Sequence, residues 1–160
     1  CLGKYFEEAR KQKWYNNTLF ILVADHGVAL PNNANLGFPE GHHIPVLFYG
    51  NVLNDAFKNT EVKTVGGHND IPATLFYLLN ERENSFSWSK NLFSVDVKNF
   101  AWYQVEGGWG WIEDNDWILY QYNINKIFDT GIKISESKKD TLALHARAYL
   151  QKLQGEYVAY

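Results

Sequence analysis

An aspartate, a histidine and a glycine stand side by side at Asp25, His26 and Gly27. A carboxylate oxygen next to a neutral imidazole nitrogen is a donor set that suits a divalent metal ion of the zinc or manganese kind. Glycine lets the backbone turn sharply because it has no side chain to clash. A three-residue motif has low specificity, and the same triplet also fits an ordinary turn in which Asp25 caps a loop and His26 is half exposed.

The segment before this triplet determines where it lies in a fold. Residues 19–24 are an unbroken apolar run rich in β-branched and aromatic types, and too short to cross a membrane. Such a run predicts a β-strand that is covered on both faces, as in a central parallel sheet. Ligands of open α/β sheets bind outside the carboxyl ends of the strands. The sequence therefore places Asp25 and His26 where such folds carry out their chemistry.

Two further histidines end the loop that follows this strand. Residues 27–43 are dense in turn formers, among them Pro31, Asn32 and Asn33, and end in Glu-Gly followed by His42 and His43. Either histidine could ligate a metal or hold a phosphate oxygen. Adjacent side chains point in different directions, so at most one of the two is expected to face Asp25. The alternative is that both are hydrogen-bonded locally.

A third candidate, His68, lies before a predicted helix. Apolar runs predict strands at 44–49 and 62–65, and Gly66 and Gly67 then lead to His68. Asn69 or Asp70 can cap a helix that begins at about Ile71. Backbone N–H groups at a helix N-terminus favour anions, so His68 is a candidate for metal or substrate binding. It could equally be a loop histidine that caps the helix.

Three stretches, in order, resemble one enzyme family. They are NTLFILVADHG at 17–27, HIPVLFYG at 43–50 and HNDIPATLFYLL at 68–79. Together they are similar to the C-terminal part of the sulfatase and phosphoglycerol-transferase branch of the alkaline phosphatase superfamily, in particular to lipoteichoic-acid-synthase-like proteins. The resemblance covers about residues 1–80, and SWSKNLF at 87–93 looks like a further marker of the same branch.

The resemblance implies a role for several residues. Asp25 and His26 match two metal ligands of the family, whose nucleophile, a Thr or a modified Cys, lies far upstream. Relatives of the lipoteichoic-acid-synthase type often carry Gln at the position of His68, whereas other branches carry a His near it that binds metal or substrate. Thr74 matches a structural Thr of the family, and Cys1 lacks the motif of the sulfatase nucleophile. Asp-His in place of Asp-Asn implies one divalent ion, Mn²⁺ or Zn²⁺ more than Ca²⁺ or Mg²⁺.

The implied activity is that of a metal-dependent phosphoryl-group transferase. Phosphoglycerol or phosphoethanolamine would pass to an envelope glycan or lipid, on the extracytoplasmic face of the cell envelope. Hydrolysis of sulfate esters by a sulfatase is the alternative within the enzyme class, and a non-catalytic glycan-binding or interaction domain is the alternative outside it. The isolated chain is expected to be inactive because it lacks the nucleophile.

Composition bounds these interpretations. The chain has 160 residues and a formal net charge of −3, without a basic patch that would indicate nucleic-acid binding. It contains no Met, and its single cysteine permits no internal disulfide. We therefore expect a fragment whose partners include the missing N-terminal half of the same protein. That half would carry the transmembrane helices that anchor the parent, because no apolar run of about 18 residues occurs here.

The predicted fold is α/β, with a division near residue 80. An amphipathic helix opens the chain, because Leu2, Tyr5, Phe6 and Ala9 recur at helical spacing. Residues 1–80 are expected to form the C-terminal part of an alkaline-phosphatase-like parallel or mixed sheet flanked by helices. An exposed edge of that sheet would permit self-association.

Residues 81–160 are aromatic-rich and are expected to form a separate subdomain. Their aromatic and β-branched runs predict two to four antiparallel strands, with a hairpin turn at 113–116. A closing helix is predicted to start at Ser137 or Asp140. The aromatic side chains could pack across the strands or form a platform for sugars or lipid headgroups.

Overall fold

The computed structural model describes residues 1–28, 35–81, 85–131 and 134–159. Within these ranges it contains four α-helices and two β-sheets. In chain order the elements are α1 (Leu2–Ala9), β1 (Phe20–Val23), α2 (Pro39–His42), β2 (Val46–Tyr49), α3 (Ile71–Leu78), β3 (Phe100–Val105), β4 (Gly108–Glu113), β5 (Asp116–Gln121), β6 (Lys126–Thr130) and α4 (Glu136–Ala159). The predicted turn formers Pro31, Asn32 and Asn33 lie outside the described residues, as do positions 82–84. The predicted mixed α/β class, with an antiparallel sheet and a closing helix after residue 80, is confirmed.

The first sheet pairs β1 with β2, but the two strands run antiparallel. Phe20 lies opposite Tyr49 and Val23 opposite Val46. The expectation that the run at 19–24 lies in a central parallel sheet is therefore wrong for this pair. Apolar runs indicate burial, whereas strand direction depends on the path of the connection, and here the chain returns through the short helix α2.

A small aromatic cluster attaches α1 to this sheet. Ala9, Tyr15 and Phe20 are buried together. The ring of Phe6 meets those of Phe20 and Tyr49 edge to face, with centroids 5.1 and 5.3 Å apart. Such pairs add to the free energy gained from burial alone. The predicted helix is thus present, and its apolar side packs on one face of β1–β2.

The rest of the first sheet is more exposed than the sequence predicts. Val23 and Val46 are each 40% exposed and Leu47 is 53% exposed. Complete cover on both faces is therefore not found in this chain. An apolar run shows that a strand tends to be buried, but it does not identify the segment that covers it.

The predicted strand at 62–65 is also absent, and these residues have no regular structure. The Val65 N–H donates to the side-chain oxygen of Asn99 in place of a strand partner. The helix predicted after it is present, because α3 begins at Ile71 and has Pro72 in its first turn. A turn of 3₁₀ helix at His68–Asp70 leads into it.

The second sheet is a meander of four antiparallel strands in the order β3-β4-β5-β6. The predicted hairpin turn joins β4 to β5 at Asp114 and Asn115, and Asp114 has a positive φ of 57°. One face of the sheet packs on α4 in a cluster of buried residues. That cluster comprises Trp109, Trp111, Ile118, Leu142, Ala143 and Ala146. Packing therefore uses the two central tryptophans, each 3% exposed, and they are not available as a sugar platform.

The opposite face of the second sheet receives α2 and the residues before it. Tyr103 lies over Gly110, its direct partner across the ladder, where a Cβ would come within 1.9 Å of the ring. The Tyr103 hydroxyl donates to the Gly37 carbonyl over 3.3 Å. Both faces of the sheet are thus in use, and the two sheets are joined through α2. No helix in the described residues has the length and apolar character needed to cross a membrane.

Candidate functional site

The site predicted at the end of β1 begins two residues beyond the strand. Asp25 and His26 are both exposed, with 89% and 75% of their side-chain surface accessible. The Asp25 carboxylate accepts the His26 backbone N–H over 3.0 Å, which holds its other oxygen toward the imidazole. His26 Nε2 lies 3.7 Å from that oxygen, Oδ2, which is too far for a hydrogen bond.

The His26 ring is fixed by its own backbone turn. Nδ1 lies 2.7 Å from the Gly27 carbonyl oxygen, and because a carbonyl only accepts, Nδ1 must carry the proton. Nε2 is then the nitrogen with the free lone pair. Histidine ligands of metal sites commonly donate their other ring N–H to a backbone carbonyl in this way.

The donor set fits a divalent ion. A point about 2.1 Å from both Nε2 and Oδ2 exists at their 3.7 Å separation, with an angle of about 124° at that point, wider than the tetrahedral angle. The distance between His26 Nε2 and Asp25 Oδ2 is therefore short enough for both atoms to contact one ion. Throughout the described residues, however, no group of three or more His, Cys, Asp or Glu side chains has an arrangement that could hold a metal.

A contact between two glycines positions this turn. A Cβ on Gly27 would lie 1.9 Å from the Gly41 carbonyl oxygen and 3.2 Å from the His42 Cα. The backbone of the Asp-His-Gly turn therefore lies directly against the C-terminal end of α2. The fold brings the two histidine-bearing segments together through a close approach that only glycine permits at position 27.

His68 is attached to the same end of β1. Its Nε2 donates to the Ala24 carbonyl over 2.8 Å, so that its ring lies beside the residue that precedes Asp25. The exposed His68 thus keeps Nδ1 as an acceptor. The structure places this third candidate next to the predicted site and shows what holds it there. Its role as a ligand remains a prediction.

The two adjacent histidines differ in their surroundings. His42 Nε2 donates to the Leu36 carbonyl over 2.7 Å, and its ring packs on Tyr103 with centroids 4.3 Å apart. Burial, with the nearby Glu40 carboxylate, raises the pKa of Tyr103 well above its usual value, so its hydroxyl stays protonated and donates. His42 therefore joins the two sheets. His43 is exposed.

A buried polar network supports the His68 loop, and sequence reasoning missed its centre. Asp70 is 1% exposed and Thr74 is fully buried. The Thr74 hydroxyl donates to the Asp70 carbonyl over 2.7 Å and accepts the Leu92 N–H over 3.1 Å, which agrees with the structural role predicted for Thr74. Asp70 and Thr74 are four residues apart and share one face of the helix. Two polar residues at this spacing in an otherwise apolar helix are the sequence pattern that could have indicated a buried polar network.

A cleft of about 590 Å³ lies between α4 and the segment before β3. Its aromatic walls include Trp88, Phe100 and Tyr149, and three lysines line it. Lys90 pairs with Asp70 and Lys152 lies 3.9 Å from Glu156, while Lys98 and Asp96 are both in the lining. Positive and negative charges are therefore balanced, and the cleft gives no preference for an anion. None of the predicted site residues lines it.

Comparison with known proteins identifies the family. The sequence model of the sulfatase family matches residues 1–81, which is just over half of the chain, and the chain belongs to this family. It is a family of enzymes that transfer or hydrolyse phosphoryl or sulfuryl groups, generally with divalent metal ions. No curated protein matches the sequence.

A solved structure shares the fold. It is that of a protein in the alkaline phosphatase superfamily from Vibrio parahaemolyticus, with a TM-score of 0.66 and 22% sequence identity. The match covers 94% of this chain and 40% of that chain, so the present sequence spans less than half the length of this relative in structure.

Proposed function

We propose that this chain is the C-terminal part of a metal-dependent phosphoryl-group transferase. The transferred group would be phosphoglycerol or phosphoethanolamine, and the acceptor an envelope glycan or lipid. Asp25 and His26 are assigned as two ligands of one divalent ion, Mn²⁺ or Zn²⁺. The lipoteichoic-acid-synthase-like branch of the family is the branch whose Asp-His pair this sequence resembles.

One observation carries the metal assignment. The Gly27 carbonyl fixes the His26 tautomer and leaves Nε2 unprotonated, and Nε2 lies 3.7 Å from Asp25 Oδ2. Imidazole nitrogen is a ligand for Mn²⁺ and Zn²⁺, whereas Ca²⁺ takes oxygen ligands. Family membership supports the reaction class, and the Asp-His pair supports the transferase branch over calcium-dependent sulfatases.

The residues of this chain would bind and orient, and the nucleophile would come from elsewhere in the parent. A divalent ion in such a site lowers the pKa of the attacking oxygen and stabilises the charge that develops on the transferred group. Asp25 would supply negative charge to the ion, and the Gly27 carbonyl would keep His26 in the binding tautomer. The isolated chain would therefore bind metal weakly and turn over no ester.

The remainder of the parent would also cover the first sheet. Val23, Val46 and Leu47 expose apolar surface on neighbouring strands, as expected where another part of a sheet or a second copy packs. We assign this surface to the N-terminal half of the same protein, with self-association of the isolated chain as the consequence of its absence. The parent would act on the extracytoplasmic face of the envelope.

Titration with Mn²⁺ tests the metal assignment directly. In the ¹⁵N-labelled chain, paramagnetic broadening by Mn²⁺ should be strongest at the His26 ring and the Asp25 amide. In Asp25→Ala, the Mn²⁺ concentration needed for the same broadening at His26 should rise at least about tenfold. Asp55→Ala is the matched control, because Asp55 is another exposed aspartate, 93% accessible, beside Lys58. Equal broadening at His26 in wild type and Asp25→Ala would refute the assignment.

Hydrolysis of sulfate esters is the second candidate, favoured by the family to which the chain belongs. The two activities differ in the ester that the parent turns over. A parent enzyme that releases p-nitrophenol from the sulfate ester faster than from the phosphodiester would favour the sulfatase alternative. A non-catalytic glycan-binding domain is less well supported, since α4 covers the central tryptophans of the second sheet.

A further inference from the structure

A buried ion pair joins the C-terminal half of the chain to the loop that carries His68. Lys90 Nζ lies 2.5 Å from Asp70 Oδ2, and their side chains are only 12% and 2% exposed. The Lys90 backbone N–H also donates to Asp70 Oδ1 over 3.0 Å. Lys90 lies beyond the residues matched by the family model, which end at position 81.

Asp70 also connects Lys90 to the loop that carries His68. Its Oδ2 also accepts the Gly67 backbone N–H over 2.9 Å, which closes the turn before His68. His68 in turn donates to the Ala24 carbonyl, directly before Asp25. Hydrogen bonds therefore join Lys90 to Asp70 and Asp70 to Gly67, and the next residue, His68, bonds to the Ala24 carbonyl just beyond β1.

The lysine is itself held on its other side. Nζ donates to the Phe100 carbonyl over 2.9 Å and lies 4.4 Å from the centroid of that ring. Phe100 is the first residue of β3, so the ammonium group is fixed between the second sheet and Asp70. Both partners are desolvated, and a buried pair of this kind favours one geometry over alternatives when its hydrogen bonds are satisfied.

We infer that Lys90 is a positioning residue for the candidate site. It orients the Asp70 carboxylate, which holds the Gly67–His68 turn against the carboxyl end of β1 and so fixes where the His68 Nδ1 is presented. The inference rests on the proposed function only where it gives His68 a role in metal or substrate binding. The orientation of His68 can be measured without metal or substrate.

The experiment replaces Lys90 in the ¹⁵N-labelled chain and reads two local signals. In wild type the His68 ring should show the Nε2-protonated tautomer. In Lys90→Met it should approach the mixture of tautomers of a free histidine, and exchange of the Gly67 amide should accelerate about tenfold. Lys90→Arg, which keeps the cation, should restore part of both signals. Lys58→Met is the control, because Lys58 also pairs with an aspartate but at the surface.

Asp70→Asn serves as a second variant, because Lys90→Met leaves a buried carboxylate unpaired and can unfold the chain. Asp70→Asn preserves the side-chain shape while removing the charge. It should move the His68 and Gly67 signals in the same direction as Lys90→Met does, but by a smaller amount. A folded Lys90→Met or Asp70→Asn chain with wild-type His68 and Gly67 signals would overturn the inference. If the wild-type chain does not bind Mn²⁺ at His26, the proposed function is overturned. The effect of Lys90 on the His68 and Gly67 signals is then unaffected.

Discussion

Substitution of Gly27 by alanine tests how the Asp-His-Gly turn is positioned. The new Cβ would lie 1.9 Å from the Gly41 carbonyl oxygen and 2.8 Å from its carbonyl carbon. Both atoms belong to the backbone, so no side-chain rotation can relieve the overlap. Ordinary contact requires the two segments to separate by about 1.5 Å.

The expected cost of this separation follows from overpacking of rigid groups. We expect Gly27→Ala to lower the free energy of unfolding by about 1–3 kcal/mol. It should also move His26, whose ring is tied to the Gly27 carbonyl. In the parent enzyme, a displacement of about 1 Å at a positioned group can reduce turnover about 100-fold.

Urea unfolding and the His26 ring spectrum measure these two effects. Gly155→Ala is the matched control, since Gly155 lies in α4 and a Cβ there would meet no atom within 4 Å. It should stabilise the helix by roughly 0.5–1 kcal/mol. If Gly27→Ala unfolds at the wild-type urea concentration and keeps His26 protonated at Nδ1, the close approach does not position the turn.

Two predictions concern the second sheet. Gly110→Ala should destabilise the chain by about 1–3 kcal/mol, because the Cβ would fall 1.9–2.4 Å from three carbons of the Tyr103 ring. Combining it with Tyr103→Ala should cost less than the sum in urea unfolding, and full additivity would contradict the ring contact. Burial raises the pKa of Glu113, but hydrogen bonds from His145 and Trp111 outweigh it and leave the pKa below its usual value. This contribution to stability is present above the unfolded pKa of about 4.5 and is lost as pH falls through the folded value. Glu113→Gln should therefore flatten the loss of stability on acidification, and an unchanged slope between pH 5 and 3 would refute this assignment.

Periodicity and turn chemistry in the sequence predicted most elements but not the direction of their pairing. The opening helix, the two apolar strands, α3 and the meander each have a local pattern that survives in the structure. The antiparallel pairing of Phe20 with Tyr49 has no local signal, because residues 29 positions apart meet only through the path of the chain. The strand at 62–65 failed because Val65 bonds to Asn99, a partner that no local pattern identifies.

The candidate residues that have a local pattern could be predicted from the sequence, whereas their long-range contacts could not. Asp25 and His26 directly follow the apolar run at 19–24, so that run and the Asp-His-Gly triplet were sufficient to predict them as candidates. The contact between His68 and the Ala24 carbonyl joins residues 44 positions apart and has no local signal. His42 and Tyr103 are 61 positions apart, and Asp70 and Lys90 are 20 apart, so neither contact is visible as a spacing. These long-range contacts determine which candidates face the site and which join the two sheets.

The family region and the second sheet depend on each other despite the sequence boundary near residue 81. Asn69 donates to the Trp88 carbonyl over 2.7 Å, and the Ser89 hydroxyl accepts the Ala73 N–H over 2.9 Å. With the Asp70–Lys90 pair, these bonds join polar groups from both sides of residue 81. Breaking a buried ion pair by removing one partner costs about 3–5 kcal/mol, which is a large share of the stability of a domain. The loop that carries His68 and the start of α3 therefore take their local order from residues 88–92, which lie beyond the region that the family model matches.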